Sequence, residues 1–255
     1  MISAPSGGVG VGIHTRVTHE RGAMPEIFIN GPEGRLEGRY HASAEKNAPI
    51  ALVLHPHPLY GGTMNNKVVY NMFQAFVRNG FSVMRFNFRG VERSQGQFDN
   101  GVGELSDAAT ALDWLQTQNP DAATCWVSGF SFGSWIAMQL LMRRPEIEGF
   151  VAASPPANMY DFSFLAPCPA SGLITMGDKD DVVQEDAVSK LVGKLAGQKN
   201  VVVDYQVVHG ADHYYRNHMD ELNDALDNYL GERMDNFKQS RKARPDRKRR
   251  QLPRD

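Results

Sequence analysis

Thr124-Cys125-Trp126-Val127-Ser128-Gly129-Phe130-Ser131-Phe132-Gly133-Ser134-Trp135-Ile136-Ala137-Met138 is the stretch on which the fold turns. Residues 124–127 read as a short buried strand, and 132–142 as a helix that stops before Pro145. A serine flanked by glycines at such a junction reads as a nucleophile elbow, a sharp turn that lifts the serine hydroxyl above the edge of a sheet. The glycines are a matter of space, because side chains two residues to either side of the serine would collide with the strand and helix. The pattern Gly-x-Ser-x-Gly is weak by itself and gains weight from its place between strand and helix. The N–H of Phe132, at the helix start, would face an oxygen that becomes negative during acyl transfer.

A serine hydroxyl is a poor nucleophile unless a base takes its proton, so a histidine is required further along the chain. His213, in His209-Gly210-Ala211-Asp212-His213, follows the last strand-like run and precedes the last helix-like one. It is preferred over His209 and His218, for which surface or helix-capping roles suffice. A carboxylate should orient the imidazole and stabilise its protonated form. Gly177-Asp178-Lys179-Asp180-Asp181-Val182-Val183 offers three, and Asp180 matches the acid of the Gly-x-x-Asp-x-Val pattern common at such a loop. Asp178 and Asp181 are read as shaping the turn or facing water. The order Ser131, Asp180, His213 is that of the α/β-hydrolase fold and not of the chymotrypsin or subtilisin folds.

A second donor to the developing oxyanion should come from the loop after the first buried parallel strand. That loop is His55-Pro56-His57-Pro58-Leu59-Tyr60-Gly61-Gly62-Thr63. Pro58 has no N–H, which leaves the amides of His57 and Leu59, with His57 preferred. His55 and His57 are two apart, but no acidic or cysteine partner has metal-ligand spacing, and this chemistry needs neither metal nor cofactor.

Outward from the elbow, strand-like and helix-like patterns alternate, as βαβ units around a mostly parallel sheet require. Residues 26–30 and 36–42 flank Gly31-Pro32-Glu33-Gly34 and predict an antiparallel hairpin. Strands are expected over 50–55, 81–88, 149–153, 172–176 and 201–208. Helices are expected over 68–77, 104–118, 184–195 and from Met219 past Tyr229. Leu105, Ala108, Leu112 and Leu115 recur at steps of three and four, the stripe of an amphipathic helix. Only about eighteen residues separate the strands ending at Ala153 and starting at Gly172, which excludes a large inserted cap.

With 42% apolar and 22% charged residues in 255, the chain can bury a sizeable core. Its apolar runs fall far short of the roughly 20 residues that cross a bilayer. The first 23 residues lack the basic start and apolar stretch of a secretory signal, so a cytoplasmic location is expected. Two cysteines, Cys125 and Cys168, make no disulfide framework, and Cys125 is read as a buried apolar residue. The net charge of −2 hides a tail, 238–255, with nine Lys or Arg against two acids. The expected division is an N-terminal extension over 1–23, one hydrolase domain over 24–236 and a disordered basic tail over 237–255. Nucleic-acid binding would rest on that tail alone and is not expected; self-association stays open.

The chain also resembles a known family, the small bacterial α/β-hydrolases related to dienelactone hydrolases. The resemblance rests on His55-Pro56-His57-Pro58-Leu59-Tyr60-Gly61-Gly62-Thr63-Met64-Asn65-Asn66-Lys67-Val68-Val69, on Arg85-Phe86-Asn87-Phe88-Arg89-Gly90-Val91, on Gly103-Glu104-Leu105-Ser106-Asp107 and on the elbow. It covers roughly residues 24–230 and implies the same fold and the same three residues. Glu92 stands where such sequences usually carry a second glycine, which bears on the conformation of that turn. Dienelactone hydrolases are expected to use cysteine where this chain has Ser131, so their substrate is not carried over.

Together these readings imply a serine hydrolase that cleaves small esters or thioesters through an acyl-enzyme. A peptidase or amidase with the same residues, or a binding module on a hydrolase fold, are the alternatives. Arg89 and Glu104 are expected to pair beside the elbow, and Tyr60, Met64, Met159 and Tyr160 to line the acyl side.

Overall fold

The computed structural model describes residues 25–243, so the extension expected over 1–23 and the tail beyond 243 lie outside the described residues. β1 (Glu26–Gly31) and β2 (Gly34–His41) form the expected antiparallel hairpin. They are followed by β3 (Ile50–Leu54), α1 (Lys67–Arg78), β4 (Ser82–Phe86), α2 (Val102–Gln118), β5 (Cys125–Phe130) and α3 (Phe132–Arg143). The chain continues through β6 (Ile147–Ala153), β7 (Ser171–Gly177), α4 (Glu185–Ala196), β8 (Val203–Val208) and α5 (Met219–Ala243). The eight strands lie in the order β1-β2-β4-β3-β5-β6-β7-β8, antiparallel at the β1 and β2 pairings and parallel from β4 to β8. This is the α/β-hydrolase fold: a mostly parallel central sheet with helices on both faces.

The central strands are buried along their whole length, as strands covered on both faces must be. One face packs α2, α3 and α4 through Leu105, Leu112, Ile136, Leu140, Val188 and Leu191. The other packs α1 and α5 through Val68, Phe73, Phe76, Leu222 and Leu226. Each fully buried side chain of this size stabilises the fold by on the order of 2 kcal/mol. Residues 154–170, between β6 and β7, contain no further helix or strand and form no cap. No helix among the described residues is long and apolar enough to cross a membrane.

One end differs from the sequence reading, and one turn singled out there has an unusual backbone. α5 continues through Ala243, into the stretch expected to be disordered tail. Gln, Arg, Lys and Ala are good helix formers, and extending a helix already anchored by Leu230 and Met234 costs far less than starting one. Glu92 adopts φ 50°, a left-handed conformation that glycine would reach without strain.

Candidate active site

β5 ends at Phe130 and α3 begins at Phe132, leaving Ser131 alone at the turn with φ 53° and ψ −123°. A side chain held in this region costs on the order of 1–3 kcal/mol, so the surroundings must enforce it. The Ser131 N–H donates to the Ala153 carbonyl at 2.9 Å, and the Ser131 carbonyl accepts from the Ser134 N–H at 2.8 Å and hydroxyl at 2.6 Å. The glycines meet the need for space: a Cβ on Gly129 would lie 2.3 Å from the Gly133 carbonyl carbon, and one on Gly133 2.4 Å from the Leu54 carbonyl oxygen. Either would push α3 off the sheet.

The loops after β7 and β8 meet above this turn. Asp178 accepts from the Gly210 N–H at 2.6 Å, and the Lys179 N–H donates to the Ala211 carbonyl at 3.0 Å. So clamped, the loops bring His213 between the two other predicted residues. Its Nε2 lies 3.2 Å from Ser131 Oγ and its Nδ1 2.8 Å from Asp180 Oδ2. The ring packs against Phe130 at 4.9 Å. The Asp180 side chain is fully buried, and its Oδ1 accepts from the N–H groups of Val182 and Val183 at 2.9 and 2.7 Å. Burial pushes its carboxyl up, but the bonds from His213, Val183 and Val182 outweigh this and hold it below the usual carboxylate range. With Asp180 accepting at Nδ1–H, the unprotonated Nε2 is the ring nitrogen that faces the Ser131 hydroxyl.

The rival residues stand elsewhere. His209 is exposed and bonds Asp178 at 3.2 Å, His218 bonds Glu221 at 3.2 Å, and Asp181 faces solvent.

The loop after β3 closes the other side. The Leu59 N–H donates to His57 Nδ1 at 3.2 Å and is therefore engaged. The N–H groups of His57 and Phe132 donate to no protein acceptor among the described residues. The His57 ring lies 4.9 Å from that of Phe132, so both residues face one corner beside Ser131. His55 has a different task. Its Nδ1–H donates to the Pro56 carbonyl at 2.6 Å, and its Nε2 accepts from the Phe88 N–H at 3.0 Å, tying the loops after β3 and β4 together. Burial lowers its pKa to about 3, so the ring is neutral and both nitrogens are in use.

A cavity of about 320 Å³ opens over Ser131, walled by His57, Tyr60, Phe132, Met159, Tyr160, Val182 and Tyr214. Among the described residues no Asp, Glu, Lys or Arg lines it. Of the four residues expected on the acyl side, Tyr60, Met159 and Tyr160 are there. Met64 is not: it is buried, with its N–H on Asn87 Oδ1 and its carbonyl accepting from Arg85, and it holds the loop to the core.

The expected Arg89–Glu104 pair is also replaced. Arg89 makes a bidentate contact with Asp107, Nε to Oδ2 at 3.0 Å and Nη2 to Oδ1 at 2.8 Å. Glu104 instead accepts from the N–H groups of Asp99 and Gly101, capping α2. Arg89 is thus a buried brace and does not line the cavity. The sequence reading missed Val182 and Tyr214 as cavity walls, and missed Tyr215, whose fully buried hydroxyl accepts from Ser154 Oγ at 3.4 Å beneath the His213 loop. Only the adjacency of Tyr214 and Tyr215 to His213 could have pointed to them.

Three comparisons agree with this architecture. An uncharacterized protein of Rickettsia prowazekii (strain Madrid E) is 58% identical over 211 residues, 81% of this chain and 89% of the relative. The crystal structure of a protein of unknown function from Agrobacterium tumefaciens is 57% identical, covers 83% of this chain and 97% of its own, and superposes with a TM-score of 0.81. An alpha-beta serine hydrolase homologue from Coxiella burnetii is 33% identical, covers 81% and 97%, and has a TM-score of 0.73. Residues 40–253 match the family described as X-Pro dipeptidyl-peptidase (S15 family). The chain therefore belongs to that family, within the α/β serine hydrolase superfamily.

Proposed function

We propose that the protein is a serine hydrolase that cleaves small carboxylic esters or thioesters, with Ser131 as nucleophile, His213 as base and Asp180 as the acid orienting it. The observation that carries this reading is the hydrogen-bonded line from Asp180 Oδ2 through His213 to Ser131 Oγ at the floor of an uncharged, mostly apolar cavity. In the first step Ser131 Oγ attacks the carbonyl carbon while His213 Nε2 takes its proton. The resulting oxyanion accepts from the N–H groups of Phe132 and His57, the second preferred to Leu59 because the Leu59 amide is engaged. The imidazolium gives its proton to the leaving oxygen or sulfur, an acyl-enzyme forms, and water activated by the same histidine releases the acid. No cofactor takes part in this scheme.

The family's name raises a peptidase reading. Removing a dipeptide from a free N-terminus calls for a carboxylate near the scissile bond to hold the terminal ammonium. Among the described residues the cavity wall carries none, which favours esters. We place the chain in the dienelactone-hydrolase-related branch on its His55-to-Thr63 motif, without that substrate. We also propose a cytoplasmic protein acting on a small molecule, with a hydrolase domain that starts at residue 24, follows the extension and ends with α5, ahead of a basic tail.

The test is labelling by a fluorophosphonate probe of wild type and Ser131→Ala, followed by 4-nitrophenyl esters of increasing chain length and an X-Pro dipeptide anilide. Labelling that Ser131→Ala abolishes, with ester turnover, is the expected result. An unlabelled wild type would remove Ser131 as nucleophile, and faster cleavage of the anilide would move the reading to a peptidase.

A further inference from the structure

The cavity above Ser131 has a neighbour across Tyr214, which lies beside His213. A second cavity, of about 630 Å³, shares Asn66 and Tyr214 with it and is otherwise lined by Lys67, Val68, Tyr215, Arg216, Asn217 and Met219. The exposed Tyr214 ring stands between the two, 5.1 Å from His213. The characters of the two cavities differ. Among the described residues the first has no charged wall, whereas the second has two cations and no carboxylate.

Lys67 has no carboxylate partner among the described residues. Arg216 pairs with Asp212 at 3.2 Å and lies over Tyr214 at 5.1 Å, and a guanidinium with five N–H donors keeps several free after one such pair. The direction of the reaction decides which part of a substrate lies there. His213 must hand its proton to the leaving atom, so the leaving group lies on the His213 side. The acyl group then points toward Tyr60, Met159 and Tyr160. The second cavity lies on that leaving-group side, across Tyr214.

We infer that the second cavity is a subsite for a phosphate on the leaving group, so that the favoured substrates are short acyl esters of a phosphorylated alcohol or thiol. This rests on the reading of Ser131 and His213 given above. Lysine and arginine are the usual partners of phosphate oxygens, and a dianion gains from both. Both cations are solvent-exposed, so their joint effect is modest and sensitive to salt.

The test compares 1-butyrylglycerol 3-phosphate with 1-butyrylglycerol on the full chain at low ionic strength. The phosphorylated ester should show about tenfold higher kcat/KM, as expected of two exposed ion pairs. That ratio should fall toward one in Lys67→Gln/Arg216→Gln and in about 0.5 M salt. Equal rates on the two esters in wild type would overturn the subsite, as would a preference that survives the double substitution. A parallel measurement separates the subsite from the chemistry: calorimetric binding of the non-hydrolysable 1-butyl ether of glycerol 3-phosphate against its neutral counterpart. Phosphate-dependent binding without turnover of either ester would sustain the subsite and remove the proposed catalysis. Turnover of the neutral ester with no phosphate preference in rate or binding would do the reverse.

Discussion

The floor and the rim of the cavity are built on opposite principles. Ser131 and His213, at the floor, are 8% and 3% exposed, and each is held by backbone bonds, packed rings or glycines that leave no room for another residue. At the rim Tyr60 is 82% exposed and Met159 53%, on loops whose backbones are tied but whose side chains stand mostly in solvent. On the proposed mechanism the contrast separates two functions. Proton transfer and oxyanion binding need positions held to a fraction of an ångström, while selection among acyl groups needs only apolar area in the right place. Changes at the floor should therefore alter rate for every substrate, and changes at the rim should alter the ranking of substrates.

The largest effect at the floor that leaves the nucleophile in place should come from Asp180→Asn. Asparagine preserves the shape but presents no full charge to Nδ1–H, and it can turn the imidazole to the wrong tautomer. A loss of about 10⁴ in kcat is the expected scale for such a change. The acid limb of the pH profile offers a second check. Because hydrogen bonds hold the Asp180 carboxyl below its ordinary value, the unfolded chain protonates it first as pH falls. The stability it contributes is then present above the usual carboxylate range and lost as pH drops through its lowered value. An Asp180→Asn variant within about tenfold of wild type would break the claim that the floor sets the rate.

The second effect separates two functions within one residue. His57 has φ −54° and ψ 123°, angles that proline adopts without strain. His57→Ala removes the ring and keeps the amide, whereas His57→Pro removes both. If the amide binds the oxyanion, proline should fall below alanine by about 10² to 10³ in kcat, the usual effect of losing one such donor. Equal rates in the two variants would return the role to another group.

How much of this was legible in the sequence follows the same division. The floor was readable because its requirements are steric and ordered: glycines two residues to either side of Ser131, then an acid and a histidine after successive strands. The sequence also marked the three aromatic or methionine walls Tyr60, Met159 and Tyr160, but it placed Met64 with them. Loop direction leaves no periodic trace, and Met64 turns inward because Asn87 and Arg85 take its backbone groups. Read from the sequence, Arg89 pairs with Glu104, but its partner is Asp107, three residues along the same helix. Both acids lie within one turn of α2, so charge pattern could not choose between them. The choice was made by unpaired N–H groups at the helix start, which claimed Glu104. The second cavity was not visible in the sequence because its walls come from the starts of α1 and α5 and the loop before α5, which meet only in the fold.

His55 tests the floor through stability. With its pKa lowered to about 3, the folded chain refuses a proton that the unfolded chain accepts below about 6.5. Stability should then fall as pH drops from 6.5, by up to about 1.4 kcal/mol per pH unit from this group. His55→Gln retains a donor and an acceptor but does not titrate. Its unfolding midpoint in urea, followed between pH 6 and pH 4.5, should decline less steeply than that of wild type. Parallel slopes would show that the loops after β3 and β4 do not depend on a neutral ring here.

The smallest effect belongs to the rim. The Tyr60 ring lies tilted against that of His57, centroids 4.7 Å apart, and presents the rest to the cavity mouth. Truncation to alanine removes apolar area that only a longer acyl chain can reach, leaving Ser131, His213 and the two amides in place. Each methylene buried against such a wall contributes at most about 0.8 kcal/mol, roughly a factor of four. Tyr60→Ala should therefore leave acetate esters within about twofold of wild type while flattening the rise of log kcat/KM from acetate to hexanoate. A uniform drop across the series would mean that Tyr60 supports His57 and belongs to the floor, and the boundary between rate and selection would have to be drawn one residue further out, at Met159.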